Sequence, residues 1–229
     1  MTSRYAIYFA PDFNSDLWRF GTSWLGRDPV TGAALAQPAL EGLNADFLAM
    51  ATESPRHYGF HATLKPPFAL ADGVYAAHLV HALSEFAVRR EPFSVPNLKL
   101  ARLDRFLALV LSAADANVTA LAEGCLRDFD RFRAPPTEKE LAERRKPGLT
   151  PRQEELLVKW GYPYVFDDFR FHMSLTGPLS PDELDRVEKA LTPTVAPYCA
   201  TPLSVSSICL YWQKDRDVPF TLVRRFPFG

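Results

Sequence analysis

Two segments of the chain repeat one pattern: phenylalanine, histidine, any residue, a hydroxyl residue and leucine. They are YGFHATLKPPF at residues 58–68 and FRFHMSLTGPL at residues 169–179. Side chains alternate between the two faces of a strand, so residues two apart share a face. In both segments apolar residues then fill one face, while the histidine and the hydroxyl occupy the other. The repeat therefore predicts two strands that each bury one face and keep a polar one.

The two segments align without a gap. The alignment pairs His61 with His172 and Thr63 with Ser174, and a proline stands six residues after each histidine. His57 has no counterpart, because position 168 is an aspartate. In each half of the chain the histidine strand precedes a helical pattern and then a pair of predicted strands. The pattern indicates one duplicated unit, and two copies are too few for a solenoid.

Alternation and helical periodicity predict mixed strands and helices along the rest of the chain. Strands are predicted at 5–10, 97–103, 106–112, 204–212 and 220–226, and helices at 14–24, 38–50, 75–89, 115–129 and 180–191. A proline-rich loop is expected after residue 191. Three capping boxes predict helix starts, at Thr137 with Glu140, Thr150 with Gln153, and Ser180 with Glu183. Hairpins in place of long crossovers favour an α+β fold with mainly antiparallel sheets.

The segment 131–149 is rich in charge and bracketed by prolines, which is typical of a connector. We expect a single bilobal domain over 1–229, with a first lobe at 1–130, this connector, and a second lobe at 150–229. Strands are free to exchange between the lobes. The connector is either a lid over a cleft or a solvated spacer, and its charge favours the spacer.

Composition limits the partners of the chain. A net charge of −1 and a pI near 6.5 give no basic field for nucleic acid or membrane, so neither is expected as a partner. The odd number of cysteines, Cys125, Cys199 and Cys209, fits a reducing compartment. With no signal peptide or membrane span in the sequence, a cytoplasmic location is expected. An oligomeric partner is left open.

Three kinds of chemistry compete for the paired histidines. A metal site is short of ligands, because the partner residues are hydroxyls, so neither metal nor cofactor is expected. A serine nucleophile leaves the second pair without a role. Paired general acid and base catalysis uses both histidines, since a pKa near 6.5 allows both protonation states near neutrality. Thr63 and Ser174, helped by Lys65 or Arg170, would then donate to the oxygens of a phosphodiester.

The motifs His61-Ala-Thr63-Leu64 and His172-Met-Ser174-Leu175 resemble those of the two-histidine phosphoesterases. The longer strings RYAIYFAP, LGRDPVTG, YGFHATLKPPF and FRFHMSLTGPL are similar to a bacterial branch that is encoded with phosphonate-degradation operons. The resemblance implies two similar α+β lobes of mainly antiparallel sheet flanked by helices. It also implies an active cleft between the lobes and metal-independent hydrolysis of cyclic phosphates or RNA ends.

Carried over by this resemblance, His61 and His172 become acid and base in an undecided order, and Thr63 and Ser174 become phosphate donors. The branch implies a small phosphorylated substrate, a cyclic sugar phosphate of the 5-phosphoribosyl 1,2-cyclic phosphate kind. Candidate substrate-binding residues are Lys65, Arg170, Arg56, Arg102, Tyr8 and Tyr164, with Tyr162 beside the last. Two alternatives stay open: a phosphodiesterase for 2′,3′-cyclic nucleotides or RNA ends, and a non-catalytic module that binds phosphate ligands or RNA.

Overall fold

The computed structural model describes residues 3–229, which form eight strands and eight α-helices around one sheet. The strands are β1 (Arg4–Phe9), β2 (Ala62–Phe68), β3 (Phe93–Leu103), β4 (Phe106–Leu111), β5 (His172–Ser174), β6 (Pro202–Val205), β7 (Ser207–Gln213) and β8 (Thr221–Pro227). The helices are α1 (Asp16–Leu25), α2 (Ala45–Ala51), α3 (Glu53–Tyr58), α4 (Ala76–Val88), α5 (Ala116–Asp128), α6 (Glu138–Arg145), α7 (Pro151–Trp160) and α8 (Pro181–Cys199).

The sheet places the two histidine strands next to each other at its centre. Its order is β6-β3-β4-β5-β2-β1-β7-β8, and every neighbouring pair is antiparallel. Four strands lie on the β5 side and four on the β2 side, so each half of the sheet contributes one histidine strand. The predicted α+β fold with antiparallel pairing is confirmed.

Each half of the sheet takes strands from both halves of the sequence. The hairpin β3–β4, at 93–111, lies beside β5, whereas β7 and β8, at 207–227, lie beside β1. The strand pair that follows each histidine strand therefore joins the other histidine's half of the sheet. The two halves of the sequence are therefore interleaved in one sheet, and the division into lobes at 1–130 and 150–229 stays a prediction.

Two predicted elements are wrong. The helix expected at 38–50 is shorter and begins later, as α2 at Ala45–Ala51. The next helix, α3, follows it directly and contains His57, which is therefore not part of a histidine strand. Helix α8 continues through Pro193 and Pro197 to Cys199 where a loop was expected. Its apolar stripe explains the continuation, because Leu184, Val187, Leu191 and Val195 recur every three or four residues and all are buried.

The three predicted capping boxes are present at the starts of α6, α7 and α8. The main core lies on the sheet face that the helices cover and includes Ile7 and Phe9 of β1. The alternate residues Ala6 and Tyr8 face the other way and pack with Tyr211. That second face of β1 leads to the site described next. Within residues 3–229 no helix combines the length and apolarity needed to cross a membrane.

Candidate active site

A cleft of about 340 Å³ opens over the junction of β2 and β5. Both predicted motifs reach it, because His61, Thr63, His172 and Ser174 all line its wall. The sequence repeat therefore corresponds to one shared site, not to two separate ones.

The register between β2 and β5 sets the arrangement of the four side chains. Ala62 lies opposite Met173 and both are buried on the core face. Continuing this antiparallel register places Thr63 opposite His172 and His61 opposite Ser174, on the cleft face. Each histidine thus faces the hydroxyl of the other motif, and the two histidines lie on a diagonal, where side chains stand about 7–8 Å apart.

His61 is held from two sides. Its Nδ1 lies 2.8 Å from the carbonyl oxygen of Gly59, and its ring stacks on Tyr8 with centroids 3.7 Å apart. A carbonyl only accepts hydrogen bonds, so Nδ1 carries the proton and Nε2 has the free lone pair. Nε2 lies 3.3 Å from Thr63 Oγ1. The ring is therefore fixed in one tautomer with its basic nitrogen beside the first hydroxyl.

His172 repeats this arrangement. Its Nδ1 lies 2.8 Å from the carbonyl oxygen of Arg170, again two residues earlier in the chain. The segment that follows is anchored, since Trp24 donates to the Leu175 carbonyl at 2.7 Å and the Gly177 amide donates to the Ala51 carbonyl at 2.7 Å. Both histidines therefore present Nε2 as the reactive nitrogen.

The first motif needs a glycine at position 59 because of the backbone conformation there. Its φ of 84° and ψ of 171° fall in a region that only glycine adopts readily. A Cβ at this position would lie 2.9 Å from Cβ of Pro29, which is too close. The backbone conformation of Gly59 places its carbonyl oxygen beside Nδ1 of His61. The sequence Tyr58-Gly59-Phe60-His61 thus determines how the histidine ring is oriented.

Burial depresses the pKa of both histidines. Desolvation lowers the pKa of His61 to about 4, against a smaller upward effect of the Gly59 hydrogen bond, and the charge of His172 lowers it further. Desolvation also lowers the pKa of His172 below 6.5. Repulsion between two protonated imidazoles disfavours double protonation, and the stronger desolvation of His61 places a single proton more readily on His172.

A third hydroxyl belongs to the cleft wall. Thr176 is buried, lines the cleft and accepts a hydrogen bond at Oγ1 from the Leu107 amide at 3.0 Å. This bond leaves the hydroxyl hydrogen of Thr176 available as a donor. Thr176, Thr63 and Ser174 thus all present hydroxyl groups along the lining of the cleft.

The structure brings Tyr8 to the cleft as predicted but does not bring Lys65 there. Tyr8 lies opposite Thr63, yet Ile7 lies opposite Lys65, so β2 has one extra residue at this point. This bulge turns Lys65 to the core face, where Nζ lies 3.2 Å from Asp130 Oδ1 and 3.3 Å from the Leu126 carbonyl. The simple alternation of the sequence analysis therefore assigned Lys65 to the wrong face.

The other predicted cations are also outside the cleft. Arg56 joins helices, donating to the Leu25 carbonyl at 2.6 Å and to Thr52 Oγ1 at 2.7 Å. Arg102 forms ion pairs with two carboxylates of α8. Arg170 is exposed and offers the site its carbonyl, not its guanidinium. None of these three arginines lines the cleft: Arg56 and Arg102 are held by contacts with helices, and Arg170 faces solvent.

Tyr164 is 40% exposed and does not line the cleft, whereas its neighbour Tyr162 does. The sequence analysis also missed Arg4, Tyr58, Phe106 and Arg144, which line the cleft with Tyr162. Arg4 could have been predicted from the alternation along β1, because it shares a face of the strand with Tyr8. Arg144 gave no such signal, because it reaches the cleft from α6 in the charged connector.

Among residues 3–229 no three histidine, cysteine, aspartate or glutamate side chains lie close enough together to hold a metal ion. The described cleft residues offer two imidazoles, the four hydroxyls of Ser54, Thr63, Ser174 and Thr176, two guanidiniums and several aromatic rings, three of them phenols.

The fold and the site define an α+β protein in which two copies of a histidine–hydroxyl motif line one cleft, the arrangement that the resemblance to two-histidine phosphoesterases implied. The chain belongs to a family described as a protein of unknown function (DUF1045), whose model matches residues 63–221.

Two relatives are each named ribose 1,5-bisphosphate phosphokinase PhnN. The one from Janthinobacterium sp. (strain Marseille) is 36% identical over 231 residues, a match covering 99% of this chain and 51% of that protein. The one from Laribacter hongkongensis (strain HLHK9) is 39% identical over 183 residues, covering 80% of this chain and 41% of that protein. The chain thus spans about half the length of these relatives or less.

Solved structures with a similar fold include Escherichia coli LigT complexed with 3′-AMP, with a TM-score of 0.44 and 13% identity over 100% of this chain and 99% of that one. Another, described as a phosphoesterase, has a TM-score of 0.43 and 12% identity over the same shares of the two chains.

Proposed function

We propose that this chain is a phosphodiesterase that opens a small cyclic phosphate by paired histidine catalysis. The observation that carries the proposal is the matched pair of imidazoles. Each donates Nδ1–H to a carbonyl two residues earlier, and each leaves Nε2 free in one cleft. Two imidazoles with a single proton between them supply a general base and a general acid, so the hydrolysis needs no metal.

In this reaction His61 is the base and His172 is the acid, because the proton of the pair resides more readily on His172. Nε2 of His61 takes a proton from water while the water oxygen bonds to phosphorus. The phosphorus bond to one ring oxygen breaks, and that oxygen takes the proton from Nε2 of His172. Solvent then exchanges the proton between the two imidazoles and restores the starting state.

The hydroxyls of Thr63, Ser174 and Thr176 stabilise the transition state. Charge grows on the non-bridging oxygens as the fifth bond to phosphorus forms, and donors fixed in a desolvated cleft act strongly on such charge. Thr63 faces His172 across β2 and β5, and Ser174 faces His61. Thr63 Oγ1 also lies 3.3 Å from Nε2 of His61, so this hydroxyl is beside the nitrogen that takes the proton from water.

The substrate that fits best is 5-phosphoribosyl 1,2-cyclic phosphate. Breaking its phosphorus bond to O2 leaves the phosphate on C1 and yields ribose 1,5-bisphosphate. The two relatives named ribose 1,5-bisphosphate phosphokinase carry this compound in their names, and this chain matches about half of their length or less. We infer that this chain supplies the compound that such a kinase consumes, in keeping with the resemblance to phosphonate-operon proteins.

A second candidate function is hydrolysis of 2′,3′-cyclic nucleotides. The observation that favours it is the aromatic wall of the cleft, where Tyr8, Tyr58, Phe106 and Tyr162 offer surfaces on which a base can stack.

The test is phosphorus NMR of chelator-treated protein with 5-phosphoribosyl 1,2-cyclic phosphate and, separately, 2′,3′-cyclic AMP. We expect fast ring opening of 5-phosphoribosyl 1,2-cyclic phosphate, with the new phosphate monoester of the product on C1. Opening of the nucleotide alone would select the second candidate. Turnover of neither compound would leave a cleft that binds phosphate ligands without catalysis and would overturn the proposal.

A further inference from the structure

Two arginines stand apart from the histidines in the same cleft. Apart from His61 and His172, Arg4 and Arg144 are the only cationic side chains that line it within residues 3–229. No aspartate or glutamate of that part of the chain lines the cleft. A cleft with two guanidiniums and no acidic wall attracts anions.

Neither arginine is neutralised by a carboxylate of the described chain. Arg4 donates from Nε to Gln213 Oε1 at 2.8 Å, which is a neutral partner. The guanidinium of Arg144 lies over the ring of Tyr162, 4.6 Å from its centroid. By contrast, the neighbouring Arg145 pairs with Glu154, and Arg216 pairs with Glu140. The guanidiniums of Arg4 and Arg144 therefore keep donors for a ligand.

Tyr8 adds a hydroxyl to this part of the cleft. The residue is 1% exposed and lines the cleft together with Arg4 and Arg144. Burial raises the pKa of Tyr8, and the charges of Arg4 and Arg144 both act on it in the opposite direction, so both guanidiniums are close enough to influence its hydroxyl. A phenol hydroxyl can donate one hydrogen bond, so Tyr8 adds a donor for an anion beside the two guanidiniums.

We propose that Arg4, Arg144 and the Tyr8 hydroxyl form a second anion subsite, which binds a terminal phosphate monoester of the substrate away from the phosphate that reacts. This inference rests on the proposed function, because it assigns binding residues to the second phosphate of the same substrate. It replaces Lys65, Arg56, Arg102 and Arg170, which the sequence analysis chose for such a phosphate.

The position of the subsite suits a sugar with phosphates at its two ends. Arg4 and Tyr8 share one face of β1, and their Cα atoms are about 13 Å apart along the strand. Tyr8 stacks on His61, so the strand runs from the reacting centre towards Arg4. A substrate that reaches from the histidines to the arginines needs its second phosphate several bonds from the first, as in a 5-phosphoribosyl group.

Helix α6 brings Arg144 to the subsite. The ion pair of Glu140 with Arg216 fastens α6 to the loop between β7 and β8, and the pair of Arg145 with Glu154, at 2.6 Å, fastens it to α7. The connector that the sequence favoured as a spacer therefore supplies part of the wall. Arg144 touches the substrate in this account, whereas Glu140 and Arg216 are positioning residues.

The experiment compares two substrates that differ only at C5, 5-phosphoribosyl 1,2-cyclic phosphate and ribose 1,2-cyclic phosphate. Steady-state kcat/KM is measured for wild type, Arg4→Gln, Arg144→Gln and Tyr8→Phe. Arg152→Gln is the matched control, because Arg152 is an exposed arginine of α7 that pairs with Glu155 of the same helix and does not line the cleft. Circular dichroism and thermal unfolding verify that each variant is folded.

Wild type is expected to prefer the 5-phosphorylated substrate, and each arginine variant should lower that preference roughly 10-fold or more, since charge-assisted bonds are of this size. Arg152→Gln should keep the wild-type preference. An equal loss on both substrates, or no loss on either, would overturn the subsite.

A separate binding measurement distinguishes failure of the subsite from failure of the proposed function. Ribose 5-phosphate is titrated into the same proteins by calorimetry. If wild type opens neither cyclic phosphate but binds ribose 5-phosphate in a manner that requires Arg4 and Arg144, the subsite stands and the function is wrong. If it opens the ring but binds ribose 5-phosphate equally well without the arginines, the function stands and the subsite is wrong.

Discussion

Nδ1 of His61 lies 2.8 Å from the carbonyl oxygen of Gly59. Since the same contact recurs between His172 and Arg170, one local geometry, repeated on two neighbouring strands, fixes both tautomers. The consequence is a pair of Nε2 atoms that face the same cleft and differ in their readiness to hold a proton. The predictions below follow from this pair and from its surroundings.

Removing the motif hydroxyls should lower kcat more than it raises KM. Thr63→Val and Ser174→Ala each delete a donor that acts on charge formed in the transition state, and losses of about 100-fold in kcat are typical for such donors. The measurement is steady-state kinetics with the cyclic sugar phosphate. Thr119→Ala, on α5 outside the cleft, serves as the control. A change confined to KM would show that the hydroxyls only bind the ground state.

The pH profile of kcat/KM should be a bell whose maximum lies on the acidic side of neutrality. Activity falls towards low pH as His61 takes a proton, at its lowered pKa of about 4. Activity falls towards high pH as His172 loses its proton, at a pKa below 6.5. Ribose 1,2-cyclic phosphate is the substrate to use, because it has no monoester that titrates near pH 6. An alkaline limb above pH 7 in the free enzyme would contradict the assignment of His172 as the acid.

Lys65 should matter for stability and not for turnover. It is 1% exposed, and burial lowers its pKa to about 8. Lys65→Met replaces a buried charge by an apolar chain of similar length and should be nearly neutral at pH 7, whereas Asp130→Asn leaves the ammonium unpaired and should cost about 3 kcal/mol. Denaturant unfolding measures both. A large rise in KM for Lys65→Met would restore the predicted substrate role.

The same residue gives a stability prediction with a definite sign. From about pH 8 to pH 10.5 the unfolded chain keeps the proton of Lys65 while the folded chain releases it. The free energy of unfolding therefore gains a contribution that rises with pH in this window, and Lys65→Met should remove that contribution.

The sequence predicted the part of the site that depends on local pattern. Alternation placed the histidine and hydroxyl of each motif on one face, and duplication indicated that the two copies act together. It failed at Lys65, because a bulge set by pairing with β1 inserts an extra residue between Thr63 and Lys65 and turns Lys65 to the same core face as Leu64. It also missed Arg144, because the place of a surface helix depends on contacts between residues as distant as Glu140 and Arg216.

Loosening α6 should weaken binding of the 5-phosphorylated substrate without unfolding the protein. Glu140→Gln breaks the exposed pair with Arg216, and such pairs contribute at most about 1 kcal/mol to stability. KM should rise roughly 3-fold to 10-fold while the thermal midpoint stays near that of wild type. Glu155→Gln, which breaks the exposed pair with Arg152 on α7, is the control. Equal KM values for Glu140→Gln and wild type would mean that α6 does not need this ion pair to present Arg144.

The most direct test of paired histidine catalysis is single-turnover opening of 5-phosphoribosyl 1,2-cyclic phosphate by wild type, His61→Gln and His172→Gln, followed by phosphorus NMR. His81→Gln is the control, because that histidine is exposed on α4. The account predicts that each cleft variant slows ring opening roughly 100-fold or more while His81→Gln matches wild type. Ring opening at wild-type rates by either cleft variant would contradict it.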